Sequence, residues 1–253
     1  MTRRTSGGLG PGATLSEVLQ HLSRLGSEAH RKSVARLGVP SESALGVPTA
    51  EIRKLGRALG RDSQLARALW ETGIHEARLL AALVLPLADA TPDLLLSWLR
   101  AVRSWDLCDH ICNNLVLQVK KCRPRLRVWT RDTHEFVRRA AFSTIAGVMI
   151  HDATIEPDEV VGFFALIHEC AGDGSAYVRK AVSWALREIG KSGAFTDRAL
   201  LLAQELNRSQ DEAERWVGKD ALSELETLVP VAERTRLLSS KTKMGSKSRE
   251  KPI

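Results

Sequence analysis

Apolar residues recur at spacings of three and four along almost the whole chain. The segments LSEVLQHLSRL, AEIRKLGRAL, EARLLAALVLPLA, DLLLSWLRAV, EFVRRAAFSTIAGVM, YVRKAVSWALREIGK and ALLLAQEL each carry such a stripe, which puts apolar side chains on one face of a helix. No stretch alternates in the two-residue period of a strand. Gly, Pro, Ser and Asp cluster at PSESALGVP, DATPD, DATIEPDE and AGDGSA, and Ser, Thr or Asp often stands where it can cap the next helix. The pattern predicts an all-α chain of about a dozen short helices arranged as antiparallel pairs.

These helices echo one another. Phe136-Val137-Arg138-Arg139-Ala140-Ala141 aligns with Tyr177-Val178-Arg179-Lys180-Ala181-Val182 at an offset of 41, and Trp216-Val217-Gly218-Lys219 follows at an offset of 39. A period near 40 marks HEAT-type helix pairs, whose stacking buries a continuous core. The expected fold is a right-handed α-α superhelix of HEAT-like repeats with a concave face. Residues in register line up along that face, so Arg139, Lys180 and Lys219 are expected to form a ladder of cations. Such a ladder suits a rod of phosphates, although helical repeats more often bind proteins than DNA.

Composition changes the picture mainly by exclusion. At 253 residues, 43% hydrophobic and 26% charged, the chain can bury one large core. One repeat domain over residues 13–238 is expected, between a disordered N-terminus (1–12) and a basic disordered tail (239–253). No run approaches the roughly 20 apolar residues of a membrane span. A cytoplasmic protein, associated with the nucleoid when bound to DNA, follows as the expectation. Cys108, Cys112, Cys122 and Cys170 read as free thiols; Cys108 and Cys112 are i,i+4, but no further pair completes a metal site. No metal and no cofactor is expected.

The net charge of +7 is unevenly placed. Residues 241–251 contribute +4, and Arg3 and Arg4 contribute +2. Residues 101–139 hold nine bases (Arg103, Lys120, Lys121, Arg123, Arg125, Arg127, Arg131, Arg138 and Arg139) against four acids, leaving the rest of the body acidic. Basic groups gathered on one track favour a polyanion, because binding there releases counterions. The alternative is an ordinary solvated basic face.

One stretch departs from plain repeat logic, Ser104-Trp105-Asp106-Leu107-Cys108-Asp109-His110. With Ser104 as N-cap, Trp105 and Asp109 share a helix face. An aromatic plane beside a carboxylate can cradle a flat cation, and Trp184, one turn beyond Lys180, can close the same cleft. Asp106 reads as a helix-start acid and His110 as a packed or surface histidine. Trp70, Trp98, Trp129 and Trp216 read as core.

Here the sequence resembles the AlkD-type DNA alkylation repair glycosylases, a family built from HEAT-like repeats. The resemblance rests on LGVPTAEIRKL, LWETGIHEARLLAALVL, SWDLCDHICNNL, FVRRAAFS and VRKAVSWALREIGK, in that order. It implies that Trp105 and Trp184 flank the lesion-bearing nucleotide, that Asp109 is the catalytic carboxylate, and that Arg139 holds the adjacent phosphate backbone. Cys108 and His110 fall outside the family pattern. Around this set, Arg138, Arg179, Lys180, Lys219, Lys120, Lys121 and Arg123 are the candidate DNA-binding cations, and duplex DNA carrying alkylated bases is the expected partner of a monomer. The resemblance also implies that the lesion is not fully flipped out of the stack.

A purine alkylated at N3 or N7 is already cationic and leaves readily, so catalysis acts on the sugar. As the C–N bond lengthens the deoxyribose becomes oxocarbenium-like, and an ionised carboxylate stabilises it and positions the attacking water. Indole faces attract the same positive charge. Two other readings stay open: a noncatalytic module preferring bent or branched duplexes, and a protein-binding scaffold.

Overall fold

The computed structural model describes residues 9–36, 38–232 and 234–249. Among these the chain forms fourteen α-helices. They are α1 (Leu15–Leu25), α2 (Glu28–Ala35), α3 (Thr49–Leu59), α4 (Ser63–Glu71), α5 (His75–Val84), α6 (Pro92–Arg100), α7 (Trp105–Asn114), α8 (Leu126–Trp129), α9 (Glu135–His151), α10 (Pro157–Cys170), α11 (Ala176–Gly190), α12 (Thr196–Asn207), α13 (Glu212–Leu225) and α14 (Lys243–Arg249). Side-chain caps start several of them where the sequence placed Ser, Thr or Asp: Thr14 closes a capping box with Glu17, and Asp62, Thr91, Ser175 and Asp211 each accept backbone N–H groups of the first turn.

The chain divides into two compact units, Met1–Arg123 and Pro124–Ile253, where the sequence reading placed one domain over 13–238. In the first unit α5 packs on α3, α4 and α7; in the second, α11 packs on α9, α10, α12 and α13. Every second helix therefore meets the next of its kind, α3 to α5 to α7 and α9 to α11 to α13, which is the stacking that helix-pair repeats require. The expected register is visible in the second unit, where the rings of Phe136 and Tyr177 lie 5.3 Å apart.

The period of about 40 does not extend to the first unit. There the polar contacts between neighbouring helix pairs link residues 29 to 31 apart, against 35 to 40 for comparable contacts in the second unit. One such contact fixes the LGVP turn before α3. The buried carboxylate of Glu76 accepts the backbone N–H groups of Leu45, Gly46 and Val47 at 2.8, 2.7 and 3.2 Å. Gly46 is required there, since its φ is +80° and a Cβ would come 2.2 Å from the Ser27 carbonyl oxygen.

α9 is buried nearly all round, from Phe136 to Met149, and its small residues Ala140, Ala141 and Gly147 let neighbouring helices approach. Trp129 is buried, and Trp70 and Trp98 stack face to face with centroids 4.2 Å apart. Trp216 is a correction: it is 37% exposed, because it occupies the outer edge of the α13 stripe while Val217 and Ala213 fill the interior.

The expected disordered tail is also corrected over its described part. Leu228–Val229 (β1) and Leu238–Ser239 (β2) pair antiparallel, with Leu228 opposite Ser239, and α14 packs on this ladder. Two-residue strands are too short to show alternation, so the sequence pattern could not signal them. Residues 9–12 form a turn before α1; residues 1–8 and 250–253 lie outside the described residues.

Candidate active site

α7 carries the first half of the candidate set. Ser104 stands at its N-cap position but makes no cap bond to the helix backbone; its hydroxyl bonds to Asp106 instead. Oδ2 of Asp106 lies 2.9 Å from Nε2 of the buried His75, the first residue of α5. Burial pushes the Asp106 carboxyl up, but the His75 bond and charge, Ser104 and the Leu107 N–H outweigh it and hold the group below the usual aspartate range. Asp106 is thus the helix-start acid read from the sequence, with an added tie to α5.

One turn later His110 repeats that tie. It is buried, and its Nε2 lies 3.0 Å from the Leu79 carbonyl of α5. Burial pushes its pKa down to about 4, so the neutral ring donates to that carbonyl. Asp106 and His110 therefore clamp one side of α7 to α5. Leu107, Cys108, Ile111 and Cys112 are buried too. The remaining face presents Trp105 and Asp109 half-buried and Asn113 exposed. The predicted pair shares a face and lies one turn apart.

The second half lies on α9 and α11, which pack together. Arg139 is only 6% exposed, and its Nη1 donates to the Tyr177 carbonyl at 2.7 Å. It is no rung in a ladder of equally exposed cations: Lys180 and Lys219 are exposed, whereas Arg139 is held between two helices. Arg138 is held more firmly. Its Nε and Nη2 donate to the two carboxylate oxygens of Asp173 at 2.7 and 3.3 Å, and Nη1 donates to the Asp132 and Thr133 carbonyls. Its guanidinium ties the turn before α9 to the turn before α11. Arg179 is half-buried. Lys120 and Lys121 are exposed and Arg123 is half-buried in the 3₁₀ segment Lys120–Arg125.

Trp184 is half-buried on α11, and its indole Nε1 donates to Oε1 of Glu188 at 3.1 Å. Sequence reading missed Glu188, and it missed His75 as the partner of Asp106. Only the i,i+4 spacing from Trp184 hinted at Glu188; nothing local hinted at His75, 31 residues from Asp106. All four cysteines are free thiols, and among the described residues no His, Cys, Asp and Glu side chains gather as metal ligands.

The sequence model of a DNA alkylation repair enzyme family matches residues 18–225, from within α1 to the end of α13. The chain belongs to that family. Solved structures place it in the same fold. A protein of "a new family of proteins related to the HEAT-like repeat DNA glycosylases with affinity for branched DNA structures" aligns over 82% of this chain and 94% of its own, with TM-score 0.70 and 16% identity. AlkD2 from Streptococcus mutans aligns over 83% of this chain and 98% of its own, with TM-score 0.54 and 18% identity. No curated protein matches the chain. This DNA alkylation repair family member is therefore a HEAT-like repeat protein, as its helix periodicity predicted, and no helix among its described residues is long and apolar enough to cross a membrane.

Proposed function

We propose that the chain is a monofunctional DNA glycosylase that hydrolyses the N-glycosidic bond of positively charged N3- or N7-alkylated purines in duplex DNA, without fully flipping the base. The observation that carries this reading is the placement of Trp105 and Asp109 one turn apart on the half-open face of α7, inside the span matched by the family. Asp109 would act in its ionised form. Its negative charge stabilises the oxocarbenium-like sugar as the cationic base departs, and its oxygens orient the water that attacks C1′. The indoles of Trp105 and Trp184 attract the same positive charge through their faces.

Arg139 supports the backbone phosphate beside the lesion, its guanidinium oriented by the Tyr177 carbonyl. Lys120, Lys121, Arg123, Arg179, Lys180 and Lys219 supply the sequence-independent attraction to phosphates. Holding sugar and phosphates, and leaving the base stacked, lets the substrate's own charge select the lesion.

A second reading is favoured by the relative with affinity for branched DNA structures: binding of distorted duplexes without catalysis. The deciding experiment is base release from duplex DNA carrying N7-methylguanine, comparing the native chain with D109N at one salt concentration. The glycosylase reading expects release by the native chain and a loss of about a hundredfold in the variant. Equal release by both would remove Asp109 from the mechanism. No release by either, with salt-sensitive binding kept, would establish the second reading in its place.

A further inference from the structure

We propose that Glu188 is a positioning residue for Trp184, and that the segment beyond the repeats completes the site by locking Glu188 through Arg236. The proposal rests on the glycosylase reading for its consequence, and on local geometry for its structural part. Oε1 of Glu188 accepts the Trp184 indole N–H at 3.1 Å and Lys191 Nζ at 2.9 Å, while Oε2 accepts Arg236 Nη2 at 2.7 Å. The same Arg236 nitrogen donates to the Glu188 backbone carbonyl at 2.8 Å, and the Leu237 N–H donates to the Lys191 carbonyl at 2.9 Å. Residues 236 and 237 are thus fastened across the C-terminal end of α11.

The cations of this cluster are themselves held. Lys191 pairs with Glu224 of α13 at 2.7 Å, and Glu224 also lies 2.9 Å from Arg187 Nε. Arg187 pairs in turn with Asp220. A carboxylate only 6% exposed cannot stay ionised and ordered without such partners. Burial pushes the Glu188 carboxyl up, yet Lys191 and Arg236 hold it below the usual glutamate range, so it is an anion at neutral pH.

A half-buried tryptophan bonded to water could rotate about χ2 among several orientations. Bonded to a fixed anion, its indole keeps one orientation, and the charge-assisted N–H bond raises electron density on the ring. Both effects strengthen the attraction of the indole face for a cationic sugar or base. Arg236 lies beyond the family match, which ends at residue 225. The repeats thus hold the tryptophan, and the C-terminal segment orients it.

The test uses the full-length native chain with E188Q, R236A and R236K. The ¹⁵N–¹H indole resonance of Trp184, identified by its loss in W184F, reports orientation and bonding. Single-turnover release of N7-methylguanine and duplex affinity report the consequence. The expected result is a folded E188Q with a shifted indole resonance, a release rate down about tenfold and duplex affinity within about twofold of native. R236A moves the same way, and R236K restores both. An unmoved resonance in E188Q and R236A overturns the proposal, and so does a moved resonance with a native release rate. If the native chain releases no base, the glycosylase reading fails separately, and the resonance alone decides whether Glu188 and Arg236 position Trp184.

Discussion

Acid should destabilise this protein through one histidine beside the candidate catalytic carboxylate. His110 is 7% exposed, its pKa is pushed down to about 4 by burial, and as a neutral ring it donates to the Leu79 carbonyl. In the unfolded chain the same imidazole titrates near the ordinary value of 6.5. As pH falls from 6.5 to 4 the unfolded state therefore binds a proton that the folded state refuses. Stability from this group is complete above pH 6.5 and declines through that window, by about 1.4 kcal/mol per pH unit and about 3 kcal/mol in all. The assay is urea unfolding at closely spaced pH values, native against H110Q, whose amide can still donate but does not titrate. The native chain should lose about 3 kcal/mol more than the variant between pH 6.5 and 4. Asp106 and Glu188, held below their ordinary values, begin to remove stability only near the bottom of this window and go on doing so below it, in both proteins alike, so the difference between the two profiles isolates His110. Parallel profiles for native and H110Q, or a native profile flat across the window, would refute the argument.

The remaining predictions concern packing and buried acceptors. Glu76→Ala strips three backbone N–H groups of the 45–47 turn of their acceptor and should cost about 3 kcal/mol in thermal or urea unfolding; Glu76→Gln, which keeps one oxygen, should cost less. Gly218→Ala would normally stabilise a helix by about 1 kcal/mol. Here the new Cβ would meet the Asn207 amide nitrogen at 2.3 Å and the Ala203 carbonyl oxygen at 2.6 Å. Neither backbone atom can give way cheaply, so a net destabilisation of about 2 kcal/mol is expected, and an unchanged melting temperature would show that α12 and α13 adjust without strain.

Much of the fold was legible because a helix announces its inner face locally. Stripes of apolar residues at spacings of three and four located α1, α3, α5, α6, α9, α11 and α12, and the likeness of Phe136–Ala141 to Tyr177–Val182 predicted the packing of α9 on α11. The Trp105 and Asp109 spacing put both on one face because the helix period is fixed by its backbone. Asp106 was read as a helix-start acid, and it stands in the first turn of α7; His110 was read as either packed or at the surface, and it is packed against α5.

What sequence could not separate were residues of one chemical type with different surroundings. Arg138, Arg139 and Lys180 sit at equivalent-looking basic positions, yet Asp173 immobilises the first, the Tyr177 carbonyl anchors the second, and the third is exposed. Trp129 and Trp216 both lie on helical stripes, but only Trp129 is enclosed. Glu188 and Arg236 stand 48 residues apart, beyond any helical period. Periodicity is a property of a single helix and is carried by neighbouring residues in the chain. Which charges are paired, buried or left to solvent depends on the helix packed alongside, and desolvation makes that neighbour decisive.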